Sequence, residues 1–281
     1  MLDLLSFVIL GIIQGVTEFL PVSSSGHLVI AQNLLDFNSQ GIWLEVCLHF
    51  GTLVAILIVF RSRIGDILID TAKGLPYLLQ RHSIQQIKDH APLFPVAVAI
   101  IIGTIPAAFA GVFLEDSIQA VYEGRSVFVG IMLGITGTLL LSTYFISQGD
   151  RKEVRPLPGF VIGIAQAFAL LPGISRSGIT IVTGYFLGFS HQQAAEFSFL
   201  LAIPALAGAM GLKLIHLLTN SLDLQSLAAA NRPGLLIGTI TAFVTGWLSL
   251  RFLLNVVKKG KLYGFGFYCL PAGILIILLG T

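Results

Sequence analysis

The sequence predicts an all-α, polytopic membrane protein: an inverted-topology repeat whose halves each hold a broken re-entrant helical hairpin followed by three transmembrane helices. Three observations carry this expectation. Of 281 residues, 55% are hydrophobic and only 11% charged, with a mean hydropathy of +0.90, too few charges to coat a soluble globule. Six apolar runs, at 43–60, 93–114, 125–147, 195–218, 233–255 and 262–280, come near the roughly 20 helical residues that cross a hydrocarbon core. Finally, one polar phrase bearing proline and glycine is written twice, once in each half.

The runs are continuously apolar rather than alternating, so they read as helices and not as barrel strands. Residues 1–20 resemble a signal peptide in hydropathy, but Met1-Leu2-Asp3 carries no basic flank and no small-residue cleavage site precedes Pro21, so the segment is expected to remain in the mature chain. The net charge of +2 argues against nucleic acid as a partner. Cys47 and Cys269 lie in apolar segments without further ligands at metal spacing and read as ordinary thiols. Residues 62–92 carry two short amphipathic stretches broken by Pro76 and Pro92, with no function assigned to them.

Shifting the chain by 152 positions sets Gly11 on Gly163, Gln14 on Gln166, Ser23 on Ser175, Ser25 on Ser177, Gly26 on Gly178 and Phe37 on Phe189. A shift of 151 sets Glu45 on Glu196. The chain is thus one membrane domain, 1–281, with internal repeats 1–150 and 155–281. Three full spans per half is an odd number, which places the second half upside down relative to the first. Lys and Arg give an independent reading of orientation. They gather after the first full span (Arg61, Arg63, Lys73, Arg81, Lys88), between the halves (Arg151, Lys152, Arg155) and in the last loop (Lys258, Lys259, Lys261), whereas the alternate loops hold little beyond Arg125 and Arg232. With the basic loops cytoplasmic, both termini face outward and the two hairpin tips approach each other near the midplane. Irregular backbone at that depth must be buried in protein or line a cavity.

The first tip holds Gln14, Glu18, Ser23, Ser24, Ser25 and His27; the second holds Ser175, Arg176, Ser177 and Thr180. An ionisable group at mid-membrane costs about 3 kcal/mol on insertion scales, which marks Glu18, His27 and Arg176 as functional candidates. Gln14 and Glu18, four apart, share a helix face and can offer oxygens to one hard cation, Mg²⁺ or Ca²⁺; alternatively, Glu18 pairs with Arg176. Ser23, Ser24, Ser25 and Gly26 open a new helix, where free N–H groups and the dipole favour an oxyanion, though Ser23 also suits a plain helix cap. His27, one turn on, can act as base, acid or nucleophile. Arg176 brings a planar fork for two phosphate oxygens, flanked by Ser175, Ser177, Gly178 and Thr180. Glu45 and Glu196 read as structural partners of the hairpins, and His49 and Lys213 as secondary candidates.

The run from Gln14 to His27 (Gln-Gly-Val-Thr-Glu-Phe-Leu-Pro-Val-Ser-Ser-Ser-Gly-His), with Pro172-Gly-Ile-Ser-Arg-Ser-Gly178 and Ala195-Glu-Phe-Ser-Phe-Leu-Leu-Ala-Ile-Pro204, closely resembles the bacterial undecaprenyl-pyrophosphate phosphatase family linked to bacitracin resistance. The resemblance covers the whole chain. It implies a hydrolase of the bacterial inner membrane, open to the periplasmic side, that removes one phosphate from a polyprenyl pyrophosphate and so recycles the carrier for cell-wall synthesis. It further implies catalytic roles for Glu18, Ser24, His27 and Arg176 and a divalent cation at Glu18 and Gln14, a position where the family admits Gln or Glu. The partners it implies are the lipid substrate and membrane lipids; the oligomeric state stays open, a homodimer included. The competing reading is a transporter or flippase of a polyprenyl phosphate, since broken helices in inverted repeats are familiar from transporters.

Overall fold

The computed structural model describes residues 2–35, 37, 41–114, 126–151, 153–219 and 231–280; Arg125 and Lys152 of the loop-charge reading lie outside them. The described residues are helical with short connections and a single isolated bridge, Arg151 to Phe189. In the first half, α1 (Leu2–Phe19) and α2 (Ser24–Leu34) flank a break at 20–23. They are followed by α3 (Gly41–Val59), α4 (Arg61–Leu79), α5 (Ile84–His90), α6 (Phe94–Phe113) and α7 (Ser126–Ser142). In the second, α8 (Pro156–Phe168) and α9 (Arg176–Phe186) flank a break at 169–175, followed by α10 (His191–Thr219), α11 (Arg232–Lys258) and α12 (Gly266–Leu279).

Among the described residues, five helices are long and apolar enough to cross a membrane, and six if α3 and α4, bent by 74° at their junction, count as one span. Apolar side chains cover much of the outer surface: Leu34, Phe145 and Leu79 are 75–85% exposed, which suits lipid and not water as solvent. The chain is an all-α, polytopic membrane protein. Expected boundaries shift where a cap decides them. α10 starts four residues before the apolar run because Ser190 Oγ accepts from Gln193 N, and α4 continues through Pro76 to Leu79. α6 is started by Asp70 of α4, whose carboxylate accepts from Leu93 N at 2.8 Å.

Packing exchanges the halves. α1 lies along α11 and α8 along α6, both at near-backbone contact: a Cβ on Gly15 would sit 2.0 Å from Thr245 Oγ1, and one on Gly163 2.1 Å from Gly103 O. Small residues permit that approach, as in membrane helix pairs generally. α3 and α10 run antiparallel; Glu45 of α3 pairs with Lys213 at one end, and at the other Arg63, in the first turn of α4, pairs with Glu196. α7 and α12 are likewise antiparallel, Gly130 facing Gly273 and Gly137 facing Gly266. Between these pairs lies a core that includes Phe19, Phe60, Phe197 and Phe199.

Candidate active site

Both helix breaks end on a polar residue at the start of a new helix. Ser24 is the first residue of α2 and Arg176 the first of α9. Each turn needs one backbone in the left-handed region, Ser23 at φ 68° and Gly173 at φ 97°; glycine takes this freely, whereas for serine it is uncommon. The second turn is pinned to α7 by Thr136, which donates to Gly173 O at 3.0 Å and accepts from Ser175 N at 3.1 Å. Ser175 Oγ then caps α9 by accepting from Gly178 N. The tips abut: a Cβ on Gly178 would lie 3.3 Å from Pro21 Cβ.

Glu18 stands where they meet, its side chain 3% exposed. Its Oε1 accepts from Arg176 Nη2 at 2.5 Å, and its Oε2 accepts from Gln14 Nε2 and from Ser24 Oγ, each at 2.9 Å. His49 Nε2 is 3.7 Å from the same Oε2. The carboxylate is thus charge-paired and fully hydrogen bonded, the condition for keeping a charge buried. Gln14, Glu18, Ser24 and Arg176 form one connected cluster, and the Glu18–Arg176 pairing, one of two alternatives read from the sequence, is present.

His27 is held from both sides. Its Nδ1 bonds Ser23 O at 2.8 Å and its Nε2 bonds Tyr268 OH at 2.7 Å, with the two rings stacked, so neither nitrogen reaches Ser24. The carbonyl one turn earlier draws the imidazole back along its own helix. Tyr268, on α12, had no sequence signal: it is an aromatic in an apolar span, brought in across 241 residues. Ser25 is exposed and meets only Ser23, at 3.4 Å. Ser175, Ser177 and Thr180 are buried. Thr180 donates to Arg176 O at 2.7 Å and meets Ser198 Oγ at 2.5 Å, so these side chains brace the turn that carries Arg176. Glu45 joins α3 to α10 and Glu196 joins α10 to α4, and neither pairs with the hairpins.

No three His, Cys, Asp or Glu side chains group for a metal among the described residues. Gln14 Oε1 is buried without a partner, on the amide whose Nε2 donates to the Glu18 carboxylate. A hard cation shared with substrate phosphates needs only one or two protein carboxylates, and this oxygen set fits such an ion.

A family model described as bacitracin resistance protein BacA matches residues 7–275, taking in both breaks and the whole cluster. The chain belongs to this family. Similar proteins, each named undecaprenyl-diphosphatase, include one from Desulfosudis oleivorans, 40% identical over 97% of both chains. Others are from Desulforapulum autotrophicum, 37% identical over 99% of both, and from Korarchaeum cryptofilum, 35% identical over 99% of this chain and 100% of that one.

Proposed function

We propose that this BacA-family hydrolase removes the terminal phosphate of undecaprenyl diphosphate, yielding undecaprenyl phosphate and inorganic phosphate, at the meeting point of the two helix breaks. The observation that carries the reading is the Glu18 carboxylate held by Ser24 and Arg176, each the first residue of its helix. An oxyanion already rests where two helix N-termini and a permanent cation favour one.

On binding, the substrate's phosphate takes Arg176 from Glu18, and the guanidinium fork neutralises charge spread over the transferring group. Ser24 Oγ attacks the terminal phosphorus while its proton passes to Glu18 Oε2, already its hydrogen-bond acceptor. The bond from that phosphorus to the bridging oxygen breaks, and the lipid monophosphate departs with the electron pair. Water then attacks the phosphoserine phosphorus as the P–Oγ bond breaks; Glu18 returns its first proton to Ser24 Oγ and takes one from the water, which passes to solvent as phosphate leaves. His27, oriented by Tyr268, is the second choice as nucleophile or as base for direct water attack. A divalent cation, Mg²⁺ or Ca²⁺, held by Glu18 and Gln14 Oε1 would supply further neutralisation of phosphate oxygens.

The membrane arrangement we propose is six full spans and two re-entrant hairpins, the halves inverted, basic loops cytoplasmic and the site open to the outer face, with the isoprenoid tail in lipid. The antiparallel α3–α10 and α7–α12 pairs and the exchange of α1 and α8 between halves support it. The tips are not interchangeable: Glu18 stands opposite Leu170, Ser24 opposite Arg176 and His27 opposite Ile179, which favours a chemical site over a symmetric carrier.

The test is phosphate release from undecaprenyl diphosphate by purified protein with and without chelator. Glu18→Gln and Ser24→Ala should each lower the rate about 10²-fold or more, and Arg176→Lys by about 10²-fold. Phosphate trapped on His27 after rapid quench would exchange the roles of Ser24 and His27; a folded parent that releases no phosphate would overturn the reading.

A further inference from the structure

The junction between the halves carries a cavity of about 660 Å³ that the reaction above leaves unused, with Lys88, Arg151, Glu153 and Arg155 in its wall and Leu157 and Phe189 beside them. Three cations face one carboxylate there: Lys88 from the last turn of α5, and Arg151 and Arg155 from the segment joining the halves, Arg155 being the residue before α8. Lys88 Nζ donates to Glu153 Oε2 at 2.7 Å. This contact, with the neighbouring charges of Lys88 and then Arg155, holds the Glu153 carboxyl below its usual range. The carboxylate is therefore charged at neutral pH, and the wall keeps two positive charges in excess.

The cations sit on fixed backbone. Arg151 N donates to Gly188 O and Ser190 N donates to Arg151 O, each at 3.2 Å, clamping the segment to the turn between α9 and α10. Gly149 lies against the same turn, where an added Cβ would stand 2.0 Å from Gly188 O. An apolar stripe leads away from the cavity along α8: Leu157, Phe160, Val161, Ile164 and Phe168 recur at helical spacing and are 36–73% exposed.

We propose that this cavity binds a phosphate group, that of an anionic lipid headgroup or free phosphate, with Arg151 and Arg155 as its principal ligands. Guanidinium forks suit phosphate oxygens, and the stripe on α8 offers an acyl chain a surface that a free ion would not use. The site is separate from the Glu18 cluster and does not depend on the phosphatase reading.

The experiment titrates full-length protein in detergent with dioleoylphosphatidylglycerol, dioleoylphosphatidylcholine or inorganic phosphate and follows the thermal midpoint, which rises when a ligand binds the native state. Phosphatidylglycerol should raise the midpoint where phosphatidylcholine does not. Arg151→Gln with Arg155→Gln should raise the half-maximal lipid concentration at least fivefold, Glu153→Gln should lower it, and Arg176→Ala should leave it in place, separating this site from the catalytic one. An arginine-dependent rise with inorganic phosphate alone would assign the site to the free ion. No rise with either probe, or a rise that survives the double substitution, would overturn the proposal.

Discussion

At the scale of single residues, the cluster around Glu18 divides into groups that touch one another and groups that hold them. Tyr268 belongs to the second kind. Its hydroxyl is the partner of His27 Nε2 at 2.7 Å, and its ring stacks on the imidazole, so Tyr268→Phe keeps the shape and removes the hydrogen bond. A single such bond contributes about 1 kcal/mol, and the expected outcome is a fall in phosphate release of about fivefold with the thermal midpoint nearly unchanged. A rate equal to the parent's across the pH range would separate Tyr268 from catalysis. The sequence singled out Gln14, Glu18, Ser24 and Arg176, since polar groups in apolar runs announce themselves. It could not supply Tyr268, because an aromatic in a membrane span is unremarkable until its neighbour is known. The direction of His27 was equally hidden: position on a helix fixes where a side chain starts, whereas the partners available fix where it points.

At the scale of elements, the helix contacts rest on glycines. Gly163 of α8 lies so close to α6 that a Cβ would stand 2.1 Å from Gly103 O, a backbone atom that cannot swing aside. Gly163→Val should therefore separate α6 from α8 at a cost of about 1–3 kcal/mol or more, read as a lower thermal midpoint in detergent, and should displace the turn carrying Arg176 with a matching loss of activity. Gly111, also on α6, has open space where its Cβ would be, and Gly111→Ala is the control expected to behave as the parent. Equal midpoints for the two variants would contradict the packing. The repeat was legible from the recurrence of Gly11 as Gly163 and Gln14 as Gln166. That α1 would pack on α11 and α8 on α6 was not, because surface complementarity between elements leaves no local mark in either one.

At the scale of the molecule, α10 is joined to the first half by two ion pairs, one to α3 and one to the start of α4. Glu45 and Glu196 occupy equivalent positions in the repeat, yet each reaches across to the other half, to Lys213 and Arg63. The Glu45–Lys213 side chains are 36% and 37% exposed, so solvent screens the pair and its coupling should be about 1 kcal/mol or less. Glu45→Lys alone should lower the thermal midpoint by placing two cations together, and Glu45→Lys with Lys213→Glu should recover most of the loss. Failure of the exchange to recover stability would mean that packing, and not charge, joins the halves at that end.

What the sequence determined by itself is whatever depends on composition and on short stretches: an all-α membrane protein, a motif written twice, a broken helical pair at each Pro-Ser-Gly turn, and a set of polar residues too costly to keep in an apolar run without a use. Only the tertiary structure decided that Glu18 lies between Ser24 and Arg176 from opposite halves, that His27 turns to Tyr268, and that Lys88 of α5 meets the arginines of the junction. The physical reason is range. Hydropathy and turn chemistry act within a few residues, whereas a hydrogen bond between groups 158 or 241 positions apart exists only after the helices have packed.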